Sequence, residues 1–441
     1  MSRTKEADLT GGIDATFADR VEPRFGPWHH AAIFLFAFAV IVSRRPEAIF
    51  HAQPYAEDGH VWYADAYNLG WWPALFHTWT GYFITLPRLA ASLSLLVPFA
   101  WFPLTLNLIA ISFQALPVNL LLSERSAAWG DPRFRCLLAA MYLILPNCGE
   151  VGNGITDANY LVGLSAFLLL VASPPKSAVG KVCDICILLV LGLSAVFCIF
   201  LFPIAVFLVW RNREFQDRKF WTRVQLGVIT LSCAVQSYAL LFLAPAARTH
   251  RAFGASPALF VRLLSGHVYL ATLLGSNDVA TRAGNGILIF LSVVAILGSI
   301  LVVFCLFQSS LAMKMFLLFS GMLFAASLIA PVEWGRPDMP VWQVMAASPN
   351  HRYWFFPTLA FAWCLLWCYR NSRRFLKIAS GVLLLIMFIG VARDWHHRAF
   401  ADVHFAESVK RFEAAPAGAV VVIPESPNGW QMTLVKKPQT H

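Results

Sequence analysis

The stretch CDICILLVLGLSAVFCIFLFPIAVFLVW, from Cys183 to Trp210, decides the fold class. Its 28 residues are almost entirely apolar and are interrupted by Pro203. A transmembrane helix needs only about 20 apolar residues. Basic segments lie on both sides of the run, at 173–181 and 211–223, and basic loops remain on the cytoplasmic side of a membrane. The run therefore predicts two short helices that cross outward and return.

The whole chain has the composition of an integral membrane protein. Of its 441 residues, 58% are hydrophobic and 13% are charged, and the mean hydropathy is +0.62. A soluble domain carries about 25% charged residues. In a membrane protein, the net charge of +10 sets topology and pairs with anionic head groups. We therefore predict membrane lipids, and no nucleic acid, as partners.

Residues 1–27 lack the basic start and small-residue end of a secretory signal, so they are predicted to form a cytoplasmic tail before a retained first helix. Most of the nine cysteines lie in apolar runs, where Cys packs as a small hydrophobe. Cys183 and Cys186 form a CxxC pair with no second pair or His cluster nearby, which favours packing over a zinc or redox site.

Four basic segments set the rest of the topology: 123–135, 173–181, 211–223 and 370–377. Placing all four inside gives an all-α polytopic protein with about eleven crossings, its N-terminus cytoplasmic and its C-terminus outside. The predicted crossings are 28–43, 103–122, 135–147, 159–172, the pair within 183–210, 224–245, 287–308, 313–330, 353–369 and 378–393. The transmembrane domain is thus predicted to span residues 28–393.

Phe83–Trp101 is also apolar enough to cross, but a crossing there would move the basic loops outside. Pro87 and Arg88 near its start, and Pro98 near its end, suit an amphipathic helix at head-group level. We predict an interfacial helix within a first outer loop of residues 44–102. The other predicted outer segments are 147–158, 246–286, 331–352 and the tail 394–441.

Adjacent carboxylates, Glu57 and Asp58, lie in the first outer loop and precede Gly59. A carboxylate beside another, or half-buried under aromatic rings, can have its pKa raised toward neutrality and act as a general base. The alternative is that Asp58 caps the amphipathic helix that follows it. One residue of the pair can cap while the other acts.

Two further segments carry candidate substrate-binding residues. Between two apolar helices lie Glu150, Asn153 and Asp157; polar side chains at membrane depth face a cavity or partner, and the alternative is a solvated turn. Where a late outer loop meets a helix stand His351, Arg352 and Tyr353. Arg can bind a phosphate with two hydrogen bonds, although an aromatic belt with a snorkelling Arg gives the same pattern.

Further cations are also predicted to face outward. They are Arg88, Arg336 and the Arg44–Arg45 pair at the outer end of the first helix. The pair opposes the usual charge bias, and lipid phosphates would accommodate it.

In their order along the chain, AEDG (Ala56–Gly59), GYFITLPRL (Gly81–Leu89), PNCGEVGNGITDANY (Pro146–Tyr160) and HRYWFFP (His351–Pro357) resemble motifs of the membrane-embedded glycosyltransferases of the GT-C superfamily. The resemblance implies transfer of a sugar from a polyprenyl-phosphate donor to a glycan or lipid acceptor on the periplasmic face of the bacterial inner membrane.

That resemblance also implies roles for individual residues. Asp58 would be the base, with Glu57 as its neighbour or substitute, while Glu150 and Asp157 would position the acceptor or sugar. Arg352 and His351, with Arg88 or Arg336, would neutralise the departing phosphate. No cofactor is required, and a divalent metal is compatible with the scheme. The chain departs from many family members in its short tail, in which Gly418–Glu425 and the following GWQMTLVKK predict a small β-hairpin.

Three other functions compete with this prediction. A lipid-linked-sugar transporter or flippase would need polar or broken helices near the midplane; Pro203 and Gln236 are two such features, but most polar residues collect at one face. An O-antigen ligase or polymerase depends on a large late outer loop, whereas the carboxylates here come early. A non-enzymatic membrane scaffold is the third, since fold alone does not fix function.

Overall fold

The computed structural model describes residues 25–152, 154–212, 216–243, 252–275, 287–331, 338–347 and 351–438. Within these ranges the regular structure is helical apart from one two-stranded sheet. The helices of ten residues or more are Pro27–Arg44, Thr85–Ser94, Phe102–Leu122, Pro132–Leu143, Ile155–Val171, Ala178–Gly192, Phe197–Arg211, Gln216–Tyr238, Leu288–Gln308, Leu311–Ile329, His351–Asn371, Arg374–Asp394 and Phe405–Ala414. The shorter helical segments are Glu47–Phe50, Asp58–Tyr63, Ala64–Leu69, Trp71–Leu75, Phe99–Trp101, Glu124–Trp129, Ala239–Leu243, Pro257–Arg262, Leu263–Leu270, Ala271–Leu274 and Val341–Ala347.

Seven helices among the described residues are long and apolar enough to cross a membrane: Pro27–Arg44, Phe99–Leu122, Arg218–Leu243, Pro257–Leu274, Leu288–Gln308, Leu311–Ile329 and Arg374–Asp394. Two shorter apolar helices are Ile155–Val171 and Phe197–Arg211. The prediction of an all-α, multi-pass membrane protein is confirmed at this level. The count of eleven crossings and the orientation of the termini stay predictions, and residues 1–24 of the predicted cytoplasmic tail lie outside the described residues.

The apolar run Cys183–Trp210 does form parts of two helices, Ala178–Gly192 and Phe197–Arg211. The break lies at residues 193–196, so the prediction that Pro203 makes it is wrong, because Pro203 lies inside the second helix. Transmembrane helices tolerate Pro where neighbours satisfy the freed backbone groups. The break is fixed from another part of the chain instead: the Thr85 N–H donates to the Leu193 carbonyl at 3.1 Å.

The four basic segments meet at one end of the helix bundle. Arg125 pairs with Asp184 and also donates to the Ser173 carbonyl, and Arg370 pairs with Asp131. An ion pair thus joins 123–135 to 370–377, and a hydrogen bond to a backbone carbonyl joins 123–135 to 173–181. Arg218 of the fourth segment donates to the Ser173 hydroxyl at 3.3 Å. Their grouping at one end is what a common cytoplasmic side requires.

The predicted outer loop 246–286 contains helical structure that the sequence prediction missed, from Pro257 to Leu274. Both ends of this segment lie at the same end of the bundle, opposite the basic segments. Before it, Ala252 O accepts from the Val341 N–H, close to the start of the His351–Asn371 helix. After it, Gly275 packs against Gly390 and Asp394, at the end of the antiparallel neighbour of that helix. The segment is thus long enough to cross a membrane, and the residues on both of its flanks contact the same end of the bundle.

Phe83–Trp101 forms the ten-residue helix Thr85–Ser94 followed by a short turn. Ten residues extend about 15 Å, half the hydrocarbon thickness of a bilayer. The helix is amphipathic: Leu86, Ala90 and Ala91 on one side are buried, whereas Leu89 and Ser92 on the other side are only partly buried. The helix is therefore too short to cross, and its position at head-group level stays a prediction.

The tail after residue 394 folds back over the first outer loop. The strands Val420–Glu425 and Trp430–Val435 pair as an antiparallel hairpin, with Val420 opposite Val435 and Glu425 opposite Trp430. The helix Phe405–Ala414 packs on this hairpin through the buried side chains of Val409 and Phe412. A parallel bridge between Tyr55 and Ser426 connects the hairpin to the first loop.

The grouping of the basic segments predicts the sidedness of two exposed positions. In a variant whose nine cysteines are replaced, Glu413→Cys should react with a membrane-impermeant maleimide added to spheroplasts, and Lys176→Cys should react only after lysis. Both residues are exposed, at opposite ends of the bundle. Equal labelling of both positions in intact spheroplasts would contradict the topology.

Candidate functional site

The Asp58 carboxylate is bound by the first turn of the Ile155–Val171 helix. Asp58 Oδ2 accepts from the Ile155 N–H at 3.1 Å, and Oδ1 accepts from the Thr156 N–H at 3.0 Å and the Thr156 hydroxyl at 2.6 Å. The first N–H groups of a helix have no partner within it and attract negative charge. Asp58 therefore caps a helix, but not the one that follows it in sequence, as the alternative prediction had it.

Close packing fixes this arrangement. Asp58 is 3% exposed, and a Cβ on Gly154, which precedes the helix, would overlap the Asp58 carboxylate. Only glycine leaves room at that position. Burial raises the pKa of Asp58 to about 6, although the hydrogen bonds from Thr156 and Ile155 act to lower it, and the charge of Glu57 raises it further.

Glu57, the other member of the doublet, is half-buried. In the described part of the chain its carboxylate makes no hydrogen bond or ion pair. The preceding residue, Ala56, has a φ of 43°, a left-handed conformation that is strained for a residue with a Cβ. We call residues 54–60 the acidic turn. In this turn Asp58 is engaged in structure and Glu57 has its carboxylate available.

Arg352 enters the same region from the late helix His351–Asn371. Its Nη1 lies 3.6 Å from Glu150 Oε1, and its backbone N–H donates to Glu150 Oε2 at 3.3 Å. Both side chains are about three-quarters buried. Asp157, also buried, lies next to Thr156 and is influenced by the charges of both Glu150 and Arg352.

Residues 150–157 thus join the two halves of the predicted site. Their helical end binds Asp58 through Ile155 and Thr156, and their loop end binds Arg352 through Glu150. Asp157 stands between them, within electrostatic range of Glu57, Asp58 and Arg352. The early carboxylates and the late arginine are therefore connected through residues 150–157, at the end of the bundle opposite the basic segments.

Arg88 was predicted to face outward, but it is 1% exposed. Its Nη1 donates to Asp65 Oδ2 at 2.9 Å, and its guanidinium lies 5.0 Å from the centre of the Trp62 ring. Trp62 in turn donates to the Thr156 hydroxyl at 2.6 Å. Arg88 thus packs on Trp62, which binds the same Thr156 hydroxyl that donates to Asp58. The prediction of an outward cation that meets a phosphate is therefore wrong for Arg88.

The Arg44–Arg45 pair is likewise not lipid-facing, since both residues are 5% exposed. Arg44 donates to the carbonyls of Leu143 and Leu145 at 3.0 Å, and Arg45 donates to that of Gly149 at 3.2 Å. The two guanidiniums therefore fix the loop that carries Glu150. They also line a cleft of about 470 Å³, counted with its opening to solvent.

The structure adds Glu425 and His60, which the sequence analysis did not single out. Glu425, the last residue of the first hairpin strand, is fully buried, and its Oε2 lies 3.2 Å from His60 Nδ1. Of the two, only His60 could have been found from the sequence, because it lies two residues after Asp58. Nothing local marks Glu425, because its partner is 365 residues away.

Three predicted site residues are not placed. Asn153 and Arg336 lie outside the described residues, and so does the side chain of His351, whose backbone begins the late helix. Among the residues that the structure describes, no group of three or more His, Cys, Asp or Glu side chains is arranged to hold a metal ion.

Comparisons with known proteins give similarities of fold alone. No family model matches the chain, and no curated protein matches it. Among solved structures, it is similar to the archaeal oligosaccharyltransferase AglB from Archaeoglobus fulgidus, in complex with an inhibitory peptide and a dolichol-phosphate. The TM-score is 0.43 at 11% sequence identity, covering 88% of this chain and 58% of that chain. The chain thus spans less than two thirds of that protein, and a similarity at this level carries no functional argument.

The contrast between the two carboxylates gives a stability prediction. Asp58→Ala should lower the unfolding free energy by about 1–3 kcal/mol, because it leaves buried N–H groups of the helix start without an acceptor. Glu57→Ala, the matched control, should change it by less than about 0.5 kcal/mol. Thermal unfolding in detergent, followed by tryptophan fluorescence, measures both. Equal shifts of the two midpoints would contradict the assignment.

Proposed function

We propose that this protein is a membrane-embedded glycosyltransferase that moves a sugar from a polyprenyl-phosphate donor to a glycan or lipid acceptor. One observation carries the proposal: residues 150–157 bring the acidic turn and Arg352 to the same end of the bundle. A carboxylate that can take a proton beside a cation that can receive a phosphate is what such a displacement needs. The order of the motifs, which resembles the GT-C superfamily, supports the same reaction.

In this reaction the acceptor hydroxyl oxygen attacks the anomeric carbon of the donor sugar. The bond from that carbon to the phosphate oxygen breaks, and the phosphate leaves with the electron pair while the sugar inverts. The hydroxyl proton must pass to a base as the new bond forms. The transition state therefore loads negative charge onto the phosphate and needs a carboxylate on the opposite face of the sugar.

We assign the base to Glu57 and a positioning role to Asp58. The sequence favoured Asp58, but both of its oxygens accept hydrogen bonds from the Ile155–Val171 helix. Glu57 is half-buried, which keeps its carboxylate reachable from solvent. Asp58 then acts through geometry, since it fixes the turn on which Glu57 stands.

Arg352 is assigned to the leaving phosphate. The Arg352 side chain is three-quarters buried and lies close to Glu150. Its guanidinium carbon lies 5.2 Å from the centre of the Tyr353 ring. A guanidinium binds phosphate oxygens in pairs, and burial strengthens the attraction. Glu150 holds Arg352 in place, and Asp157 is left to orient sugar or acceptor hydroxyls.

The lipid tail of the donor would lie between helices in the membrane, with its phosphate at head-group level beside the first loop. Trp71, Trp72 and Phe76 are each 57% exposed there, and Trp101 is 56% exposed. Exposed aromatic side chains of this kind occupy the head-group region of a bilayer. With the basic segments inside, the site faces the periplasm of a bacterial inner membrane.

Transport of the lipid-linked sugar is the competing function, and the centre of the bundle disfavours it. Phe319, at the middle of the Leu311–Ile329 helix, is buried there with Phe167 and Phe356, at ring-centre distances of 5.3 Å and 5.2 Å. A transport path needs polar or broken helices near the midplane. Close-packed aromatic rings supply neither.

Substitution of the assigned base tests the proposal. Glu57→Gln should reduce sugar transfer from a polyprenyl-phosphate donor in proteoliposomes by about 100-fold or more, because an amide cannot take the proton. Its unfolding midpoint should match that of the unaltered protein. The control is Asp402→Asn, an exposed carboxylate of the tail, which should retain full transfer. Full transfer by Glu57→Gln would remove the base assignment, and lipid flipping without transfer would favour a transporter.

A further inference from the structure

We propose that the C-terminal hairpin is a working part of the site, in which Glu425 and His60 are positioning residues that hold the acidic turn against the rest of the fold. The effect of the hairpin on sugar transfer rests on the proposed function, whereas its effect on the conformation of the acidic turn does not. Two independent sets of contacts support it, one through side chains and one through the backbone.

The side-chain contact is buried and directional. Glu425 Oε2 lies 3.2 Å from His60 Nδ1, and the same nitrogen lies 3.1 Å from the Ala56 carbonyl. The His60 ring packs edge-on against Trp430, the residue opposite Glu425 in the hairpin, at 5.0 Å. His60 is therefore held from both strands while its own backbone continues from Asp58.

The other oxygen of Glu425 has no such anchor. Among the described residues, Glu425 Oε1 is buried without a hydrogen-bond partner. It lies directly against the Cα of Gly59, where a Cβ would overlap it. A buried carboxylate is costly to keep ionised when one of its oxygens has no donor, and protonation removes the charge. The arrangement therefore fits a Glu425 carboxyl that retains a proton while the hairpin is docked.

The backbone contact places the tail on the strained residue of the turn. The Ala56 N–H donates to Ser426 O at 2.6 Å, and the Ser426 N–H donates to Pro54 O at 3.0 Å. Ala56 is the residue with a φ of 43°, and it immediately precedes Glu57. A strained conformation persists only where its surroundings hold it, and here Ser426, next to Glu425, is what holds it.

Further along, Asn68 fixes the second strand. Its side-chain amide donates to Thr433 O at 2.9 Å, and its side-chain oxygen accepts from the Val435 N–H at 3.0 Å. The hairpin is thus attached on both sides of the Glu425–His60 pair. The acidic turn is held on one side by the Ile155–Val171 helix, through Asp58, and on the other by the hairpin.

Protonation of the pair should govern this docking. Burial raises the pKa of Glu425 to about 7, with His60 opposing and the charges of Asp58 and Glu57 adding to the rise. Burial lowers the pKa of His60, but the hydrogen bond with Glu425 and its charge outweigh it, and the pKa lies above the usual value. The helix that packs on the first strand presents a buried face of Phe405, Ser408, Val409 and Phe412, which adds no charge.

The shift of Glu425 decides the direction, because the rise of the His60 pKa depends on the charge of an ionised Glu425 and does not add to it. A group that binds its proton more tightly when docked stabilises docking fully at low pH and loses that contribution as the pH rises to its docked pKa. For Glu425 the loss falls between its usual value of 4.5 and about 7. The hairpin should therefore hold the acidic turn best in mildly acidic conditions and loosen near neutrality.

Hydrogen–deuterium exchange of the full-length protein in detergent tests the proposal without a donor or acceptor. After correction for the intrinsic rate, protection of residues 54–60 should fall by about tenfold or more between pH 5.5 and 7.5. Glu425→Gln, which cannot lose a proton, should keep most of that protection at pH 7.5. Glu425→Ala should lose it at both pH values. The matched control is Glu413→Gln, on an exposed face of the neighbouring helix, which should behave as the unaltered protein.

Sugar transfer supplies the second readout. At pH 6, Glu425→Ala should transfer about tenfold or more slowly, since a misplaced base loses the geometry of attack, and Glu425→Gln should stay within about threefold of the unaltered protein. If Glu425→Gln and Glu413→Gln show the same pH dependence of protection, the proposal is overturned. If exchange behaves as expected but no variant, nor the unaltered protein, transfers sugar, the hairpin proposal stands and the proposed function fails.

Discussion

The site depends on a single contact between distant parts of the chain, that of the Asp58 carboxylate with the first turn of the Ile155–Val171 helix. Three donors converge on this carboxylate, and two of them are backbone N–H groups that a helix cannot satisfy by itself. Because both elements are at the end of the bundle where the polar residues gather, the contact ties the first outer loop to the membrane domain. It also determines which of the two adjacent carboxylates is left for chemistry.

Other hydrogen bonds and ion pairs hold the loop that carries Glu150 and the start of the Ile155–Val171 helix. Arg44 and Arg45 use backbone carbonyls to hold the loop that bears Glu150, and Glu150 holds Arg352. From the outside, the hairpin holds Ala56 through Ser426. Buried cations and carboxylates are costly unless they find such partners, so their burial here indicates a pre-organised assembly rather than a solvated loop.

Local patterns in the sequence were sufficient to predict the secondary-structure elements, but not the contacts between residues that are far apart in the chain. The apolar runs, the amphipathic Thr85–Ser94 helix and the strand-like alternation of the tail are each decided within a few turns of chain. By contrast, Asp58 meets its donors 97 and 98 residues later, so the sequence named both members of the doublet without separating their roles. Glu425 was missed for the same reason.

Two errors came from rules that hold only on average. Pro203 was taken to end a helix, as it would in a soluble protein, but a transmembrane helix accommodates it. Arg88, Arg44 and Arg45 were expected to face lipid or solvent, as most arginines do, yet each is buried by a ring or by backbone carbonyls that only the folded chain supplies.

A double-mutant cycle between Asp58→Asn and Thr156→Val tests the central contact most directly. The measurement is the thermal unfolding midpoint in detergent for each single variant, the double variant and the unaltered protein. If the two side chains stabilise the fold through their mutual hydrogen bond, the double variant should unfold close to the less stable single variant. Midpoint shifts that simply add would show that the two residues act independently, and would contradict the account.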